Sequence, residues 1–305
     1  MKRGRKKKSD ERRSAESGGQ TRLVHGLAAD SVALEMPDGL EPDAVAEWRR
    51  VAPMLLTLDR STLLDVQALE TYCRTWGIFC RTVKQLCCEM ERTPGKPAPL
   101  VGVTLRGNPR PSTLAIIGIR YGLQLLNLSR QFGFSPRTVW LTHSEKGRPA
   151  IPSEIHKMRG NPSNRTDLDE EESQTGDVLP HAELGAAPSI LGKEGIRHWH
   201  DMIYALDSVG LANGIYRPPI VVGCFAYSMS VRAYRLQQKS PIAVLDGKTT
   251  GRAIENPLSL LFRKSSDLAS DVWKDFGMTP SARRRLLVPS ETKRRTTRIY
   301  IGDEA

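Results

Sequence analysis

The chain has 305 residues, and its 45 lysines and arginines outnumber its 34 acidic residues, which gives a net charge of +11. No run of 18 apolar residues occurs, so we expect no membrane span, and no apolar segment follows the basic N-terminus as it would in a signal peptide. The five cysteines are an odd number and four of them are clustered, which argues against a secreted disulfide framework and favours a cytoplasmic location.

Most of the positive charge lies at the two ends of the chain. Residues 1–13 carry a net charge of +6 and residues 281–305 a net charge of +4, whereas the body between them is nearly neutral. The composition predicts a disordered basic N-terminal arm over residues 1–40 and a basic C-terminal tail over residues 288–305. Basic ends on a neutral body favour a polyanionic partner, with the ends as flexible electrostatic arms.

A first helical unit is predicted over residues 41–142, which we call unit 1. Apolar spacing predicts a short helix over 43–56 and a long helix over 62–91. The long helix has apolar residues at alternating intervals of three and four, as in a heptad repeat. These residues, which we call the seam, are Leu69, Tyr72, Trp76, Phe79, Val83 and Leu86. The seam can pack within the chain or against neighbouring subunits. A loop or small hairpin over 93–112 and a helix over 112–131 follow.

A second helical unit is predicted over residues 192–287, which we call unit 2. Helical spacing recurs over 196–206, 220–234 and 258–276, and Asp246-Gly247 is typical of a hairpin turn between the last two of these. Residues 143–191, between the units, contain a basic segment followed by an acidic linker.

The order and spacing of the two units indicate an internal duplication. Residues 132–136 match residues 276–280 at an offset of 144, and Asn108-Pro109 matches Asn256-Pro257 at an offset of 148. Trp48 matches Trp199 at an offset of 151, and Gly4-Arg5 matches Gly147-Arg148 at an offset of 143. Loop insertions explain offsets that drift by a few residues.

Several segments resemble phage terminase small subunits. Residues 147–152 (GRPAIP) and 157–162 (KMRGNP) are similar to the opening of that family. Residues 47–53 (EWRRVAP) resemble its first core helix, and residues 68–73 (ALETYC) its long second helix. Asn256-Pro257 together with residues 276–286 (FGMTPSARRRL) resembles its final helix and tail. Members ordinarily have one such unit, whereas this chain has two, and the first unit lacks the family's opening motif.

The resemblance implies a mostly helical protein that assembles into a ring and binds double-stranded viral DNA. It also implies that the chain recruits and regulates a separate large subunit with ATPase and nuclease activity, and that it is itself no enzyme and needs no cofactor. The alternative functions are a prophage or cellular DNA-binding regulator and an assembly scaffold that does not touch DNA.

Lysine and arginine neutralise phosphates and release counterions, so the clustered basic residues are the candidates for DNA contact. The alternative is that basic tails only aid solubility. The candidates are Lys2, Arg3, Arg5, Lys6, Lys7, Lys8, Arg148, Lys157, Arg159, Arg165, Arg283, Arg284 and Arg285.

Motifs for other chemistry are absent from the sequence. There is no phosphate-binding Gly-x-x-x-x-Gly-Lys-Ser/Thr loop and no Gly-x-Ser-x-Gly nucleophile motif. Cys73, Cys80 and Cys87 are seven residues apart, which is too far for the usual zinc pairs, and we expect them to be buried core residues. The acidic cluster at 167–172 is interpreted as solvated linker charge, and we therefore expect no metal site.

Overall fold

The computed structural model describes residues 34–57, 66–105, 107–140, 158, 182–245, 253–283 and 286. Helices dominate these residues, and the prediction of a mostly helical fold is confirmed. Among the helices of this described part, none is long and apolar enough to cross a membrane.

The elements of unit 1 follow the predicted order. They are α1 (Pro42–Thr57), α2 (Val66–Arg92), β1 (Val101–Val103), β2 (Pro109–Pro111), α3 (Thr113–Gln131) and α4 (Pro136–Trp140). The two short strands pair antiparallel, with Gly102 opposite Arg110, and form a small hairpin. The predicted start of the long helix at residue 62 lies outside the described residues.

Unit 2 presents the same order of elements. They are α5 (Gly192–Ser208), α6 (Arg217–Gln237), β3 (Ala243–Leu245), β4 (Ala253–Glu255), α7 (Pro257–Asp275) and α8 (Pro280–Arg283). Strands β3 and β4 also form an antiparallel hairpin. Pro218 and Pro219 lie in the first turn of α6, where a missing N–H leaves no hydrogen bond unmade.

Equivalent local contacts occur 144 residues apart in the two units. The Phe134 amide donates to the Ser129 carbonyl over 2.8 Å, and the Met278 amide donates to the Trp273 carbonyl over 2.9 Å. Both bonds close the end of a helix. A left-handed glycine, Gly133 or Gly277, is the second residue after the end of each helix, at φ values of 72° and 64°.

A second pair of contacts follows the same offset. Tyr72 lies edge-on to Phe132 at 5.9 Å, and Tyr216 lies edge-on to Phe276 at 5.6 Å. The offset of 144 thus also separates Tyr72, in α2, from Tyr216, which directly precedes α6.

The alignment of Asn108-Pro109 with Asn256-Pro257 is wrong. Asn256 caps α7, because its side chain accepts from the Leu258 amide over 2.9 Å. Asn108 instead precedes strand β2 of the first hairpin, and the residue equivalent to Asn256 is Ser112, directly before α3. The shared dipeptide occupies two different structural positions, so its offset of 148 carries no information about the repeat.

One continuous hydrophobic core joins the two units. Helix α3 packs against both α6 and α7, and the Phe79 ring of α2 meets the Phe225 ring of α6 edge-on at 5.5 Å. Arg232 of α6 donates to the carbonyl oxygens of Met90 and Thr93 at the C-terminal end of α2. The two units therefore pack against each other and are not joined by the linker alone.

Residues outside the predicted boundaries of the two units also pack on this core. Leu34 and Leu40, in the predicted N-terminal arm, are partly buried against it. Ile190 and Leu191, in the predicted linker, are buried. The guanidinium of Arg217 donates to the carbonyl oxygens of Leu184 and Ala186, which fastens the end of the linker segment to the start of α6. The ordered structure thus extends beyond the predicted unit boundaries.

An ion pair between α3 and α7 links the units. The Asp275 carboxylate is completely buried and accepts two hydrogen bonds from Arg130, over 2.7 and 3.1 Å. Arg137 adds a third bond over 3.1 Å. A buried carboxylate is tolerated when charged donors surround it in this way.

A second buried carboxylate organises unit 1 and contacts unit 2. Glu47, only 4% exposed, accepts from the Tyr72 hydroxyl over 2.8 Å and from Arg50 over 2.6 and 2.9 Å. Arg50 also donates to the Gly214 carbonyl over 2.9 Å. Burial alone would lower the pKa of Arg50, but the Glu47 carboxylate raises it well above its usual range. Arg50 therefore remains charged and bridges the two units.

Replacing Glu47 by alanine should destabilise the protein by about 3–5 kcal/mol, because it leaves the Arg50 charge without its counter-ion and the Tyr72 hydroxyl without its acceptor. Urea unfolding followed by circular dichroism measures this. The matched control is Glu70→Ala, which removes the exposed pair with Arg74 and should cost less than about 1 kcal/mol. Equal losses in the two variants would contradict the structural role of Glu47.

Candidate nucleic-acid interface

Arg283 is the one predicted DNA-binding residue within the described ranges. It is exposed at the end of α8, and its Nε donates to the Gly277 carbonyl over 3.3 Å. The remaining twelve candidates lie outside the described residues, so their role stays a prediction.

The six seam residues are all buried within this chain. Tyr72, Phe79, Val83 and Leu86 have no exposed surface, and Leu69 and Trp76 are nearly covered. They pack on helices of the same chain, so a contact between chains needs other residues.

Many basic side chains on the described surface face a carboxylate. On α2, Arg81 pairs with Glu41 over 2.7 Å and Lys84 pairs with Asp43 over 2.8 Å. Arg235 of α6 pairs with Glu194 of α5. Such pairs leave little net positive potential, and a phosphate would have to compete with the carboxylate for each cation.

A different distribution of charge occurs between Glu91 and Glu145. This stretch contains seven basic residues and no aspartate or glutamate. It forms the end of α2, the first hairpin, α3 and α4. The exposed side of α3 carries Arg120, Gln124, Asn127 and Gln131, which are basic or neutral donors. A helix side without carboxylates can approach a phosphate backbone without repulsion.

The first hairpin belongs to the same acid-free stretch. Arg110 on β2 and Lys96 in the loop before β1 are both exposed. Val103 and Leu105 near the hairpin turn also expose most of their side chains. By contrast, Arg130 and Arg137 from the same stretch are held by Asp275, so they belong to the link between units and not to this surface.

The cysteines predicted to be core residues are buried. Cys73, Cys80 and Cys87 are free thiols, and burial raises the pKa of all three, that of Cys87 to about 11. Within the described ranges, no group of three or more potential metal-binding side chains occurs.

Residues 44–139 match the family model described as phage terminase, small subunit. The matched range lies within unit 1 and coincides closely with α1–α4, although the resembling motifs are more numerous in and before unit 2. No curated protein and no solved structure matches the chain.

The basic residues predicted to contact DNA lie at the two ends of the chain and in residues 148–165, and none of them belongs to the acid-free stretch. The signal was present in the sequence, as an interval of more than fifty residues without a carboxylate. The net charge of the chain between its two ends does not reveal this interval, because the acidic linker offsets the positive charge of the stretch.

Reversing charge on the acid-free surface, with Arg110→Glu and Arg120→Glu together, should lower DNA affinity about tenfold and reduce the slope of log affinity against log salt by about two. Fluorescence anisotropy with a labelled duplex measures both quantities. The matched control is Arg74→Glu with Arg81→Glu on α2, where carboxylates already lie next to the cations. The same loss in both double variants would show that overall charge, and not this surface, determines binding.

Proposed function

We propose that the chain is the DNA-binding small subunit of a phage terminase, which recognises viral DNA and recruits and regulates the large ATPase–nuclease subunit for genome packaging. The observation that carries the proposal is the family match over residues 44–139, a range that begins and ends with the helices of unit 1. On this proposal the chain has no catalytic centre of its own and acts in the cytoplasm of the bacterial host.

Charge placement supports a role in binding DNA. The two ends of the chain carry most of the net charge of +11, and the exposed side of α3 lacks carboxylates. Basic chain ends would supply affinity for any duplex, whereas exposed residues on helices and strands can fix the orientation of the protein on DNA.

We also propose that the chain is a tandem duplication of the terminase small-subunit unit. The repeated order of elements supports this, as do the helix ends and Tyr–Phe contacts that recur 144 residues apart. A closed ring of such chains would then need about half as many subunits as a ring of single-unit chains.

Neutralising the N-terminal arm tests the DNA-binding role. Replacing Lys2, Arg3, Arg5, Lys6, Lys7 and Lys8 by glutamine should weaken binding to phage-end duplexes and flatten its salt dependence, because up to six phosphate contacts are lost. Gel-shift titrations at two salt concentrations measure the effect. The control exchanges lysine for arginine and arginine for lysine at the same positions, which keeps the charge.

The same titrations separate the alternatives. Specific binding to a promoter, with none to phage ends, would favour a prophage or cellular regulator. Affinity for DNA that is absent or independent of salt would favour an assembly scaffold. A large terminase subunit encoded by the neighbouring gene, and its co-purification with this chain, would support the packaging role.

Ring assembly gives a separate expected outcome. Native mass spectrometry of the full chain should show one closed oligomer that contains a small, fixed number of chains. A monomer alone at micromolar concentration would contradict ring assembly without affecting the DNA-binding proposal.

A further inference from the structure

We propose that the contact between unit 1 and unit 2 is committed to this one pairing and direction, so that unit 1 binds unit 2 and neither unit binds a second copy of itself. The whole chain, and not the unit, is then the repeating block of any assembly. This pairing rests on the proposed duplication, in which positions 144 residues apart are equivalent, and it is independent of the packaging function.

Two glycines on α3 form a notch that receives α6. Gly118 and Gly122 lie one turn apart and are both buried. A Cβ atom on Gly118 would be 2.8 Å from Cζ of Phe225. A Cβ atom on Gly122 would be 3.1 Å from Cδ2 of Leu268 on α7 and 3.3 Å from Cγ1 of Val222 on α6. Phe225 is 1% exposed and fills the notch. Side chains at either glycine would push α6 away from α3.

Helix α7 has no such notch at the equivalent positions. The residues 144 positions after Gly118 and Gly122 are Phe262 and Ser266. Phe262 is 39% exposed and lies against the Tyr234 ring at 5.6 Å. A phenylalanine in place of the notch glycine occupies the space that Phe225 needs, so α7 cannot receive a second α6.

The side of α6 that enters the contact is also unique to unit 2. Val222 and Phe225 meet the notch, and helical spacing places them on one uncharged, buried stripe with Pro218, Met229, Ala233 and Leu236. The equivalent positions on α2, 144 residues earlier, are Arg74, Ile78, Arg81, Gln85, Glu89 and Arg92.

This stripe of α2 faces solvent in large part, and its cations take part in ion pairs. Arg74 pairs with Glu70 and Arg81 with Glu41, and both arginines are exposed. Packing this stripe against an apolar helix would remove these charged groups from water, and the attraction within each ion pair does not fully repay the lost hydration. Helix α2 therefore cannot replace α6 in the notch.

The ion pair between the units has a direction as well. Asp275 of unit 2 binds Arg130 and Arg137 of unit 1. In the reverse arrangement, Gln131 would take the place of Asp275, and Lys274 and Ser281 would take the places of the two arginines. Lys274 would then face a neutral amide, and in the structure it pairs with Asp271 instead, over 2.9 Å. The charges and the shapes of the two units thus favour only the arrangement in which α3 of unit 1 packs on α6 of unit 2.

The test separates the units in the full-length, folded protein. A protease site is inserted after Gly176, the purified chain is cleaved, and native mass spectrometry records the stoichiometry of the two fragments over a dilution series. Unlabelled and 15N-labelled cleaved protein are mixed to follow exchange. We expect the fragments to remain paired in equal numbers, with no complex that contains only one kind of fragment.

Variants then test the contact itself. Phe225→Arg introduces the residue found at the equivalent position of α2 and should weaken the pairing of the cleaved fragments at least tenfold. Asp275→Gln introduces the residue found at the equivalent position of α3 and should weaken the pairing of the fragments less than Phe225→Arg does. It tests the contact if Phe225→Arg does not fold. The control Phe262→Ser removes an exposed phenylalanine of the outer α7 side and should leave pairing unchanged.

Several outcomes would overturn the proposal. One is the appearance of complexes that contain unit 1 fragments alone or unit 2 fragments alone. Another is separation of the cleaved wild-type fragments while both keep their helical circular dichroism. A third is unchanged pairing in both Phe225→Arg and Asp275→Gln. Because none of these measurements uses DNA, failure here leaves the packaging proposal to its own gel-shift test.

Discussion

The packing of α3 across α6 is the contact on which the rest of the structure depends. Each unit by itself has four helices and a small hairpin, which is a limited volume in which to bury apolar side chains. The contact joins the two into one core, so that most of α6 is covered by α5, α7 and α3 together. Gly118 and Gly122 permit the close approach, and the aromatic ring of Phe225 fills the space that they leave.

Buried charge gives this contact its direction. Apolar surfaces attract one another without regard to orientation, whereas the Asp275 carboxylate requires Arg130 and Arg137 in fixed positions. Glu47 acts similarly at the other link, since it holds Arg50 where it can reach the Gly214 carbonyl. The carboxylate of Asp275 and the guanidinium of Arg137 have uncharged residues, Gln131 and Ser281, at the equivalent positions of the opposite unit, which is how a repeated order of elements supports an asymmetric pair.

The same use of charge divides the basic residues of the body into two groups. Arg130 and Arg137 bind Asp275 and so hold the units together, whereas Arg110 and Arg120 from the same acid-free stretch remain exposed. Residues with identical chemistry thus link the two units or remain exposed, according to whether a buried carboxylate lies within reach. The proposed interface with DNA rests on the second group and on the basic ends of the chain.

The sequence by itself determined the helices, because the spacing of apolar residues depends on local geometry alone. The predicted helix over 43–56 is observed as Pro42–Thr57, and that over 112–131 as Thr113–Gln131. It also determined the hairpin positions and the burial of Cys73, Cys80 and Cys87. Only the tertiary structure decided that the two units share a core, that Asn108 and Asn256 are not equivalent, and which arginines bind Asp275. Periodicity identifies the apolar side of a helix but not the helix that covers it, and a buried ion pair joins residues more than a hundred positions apart.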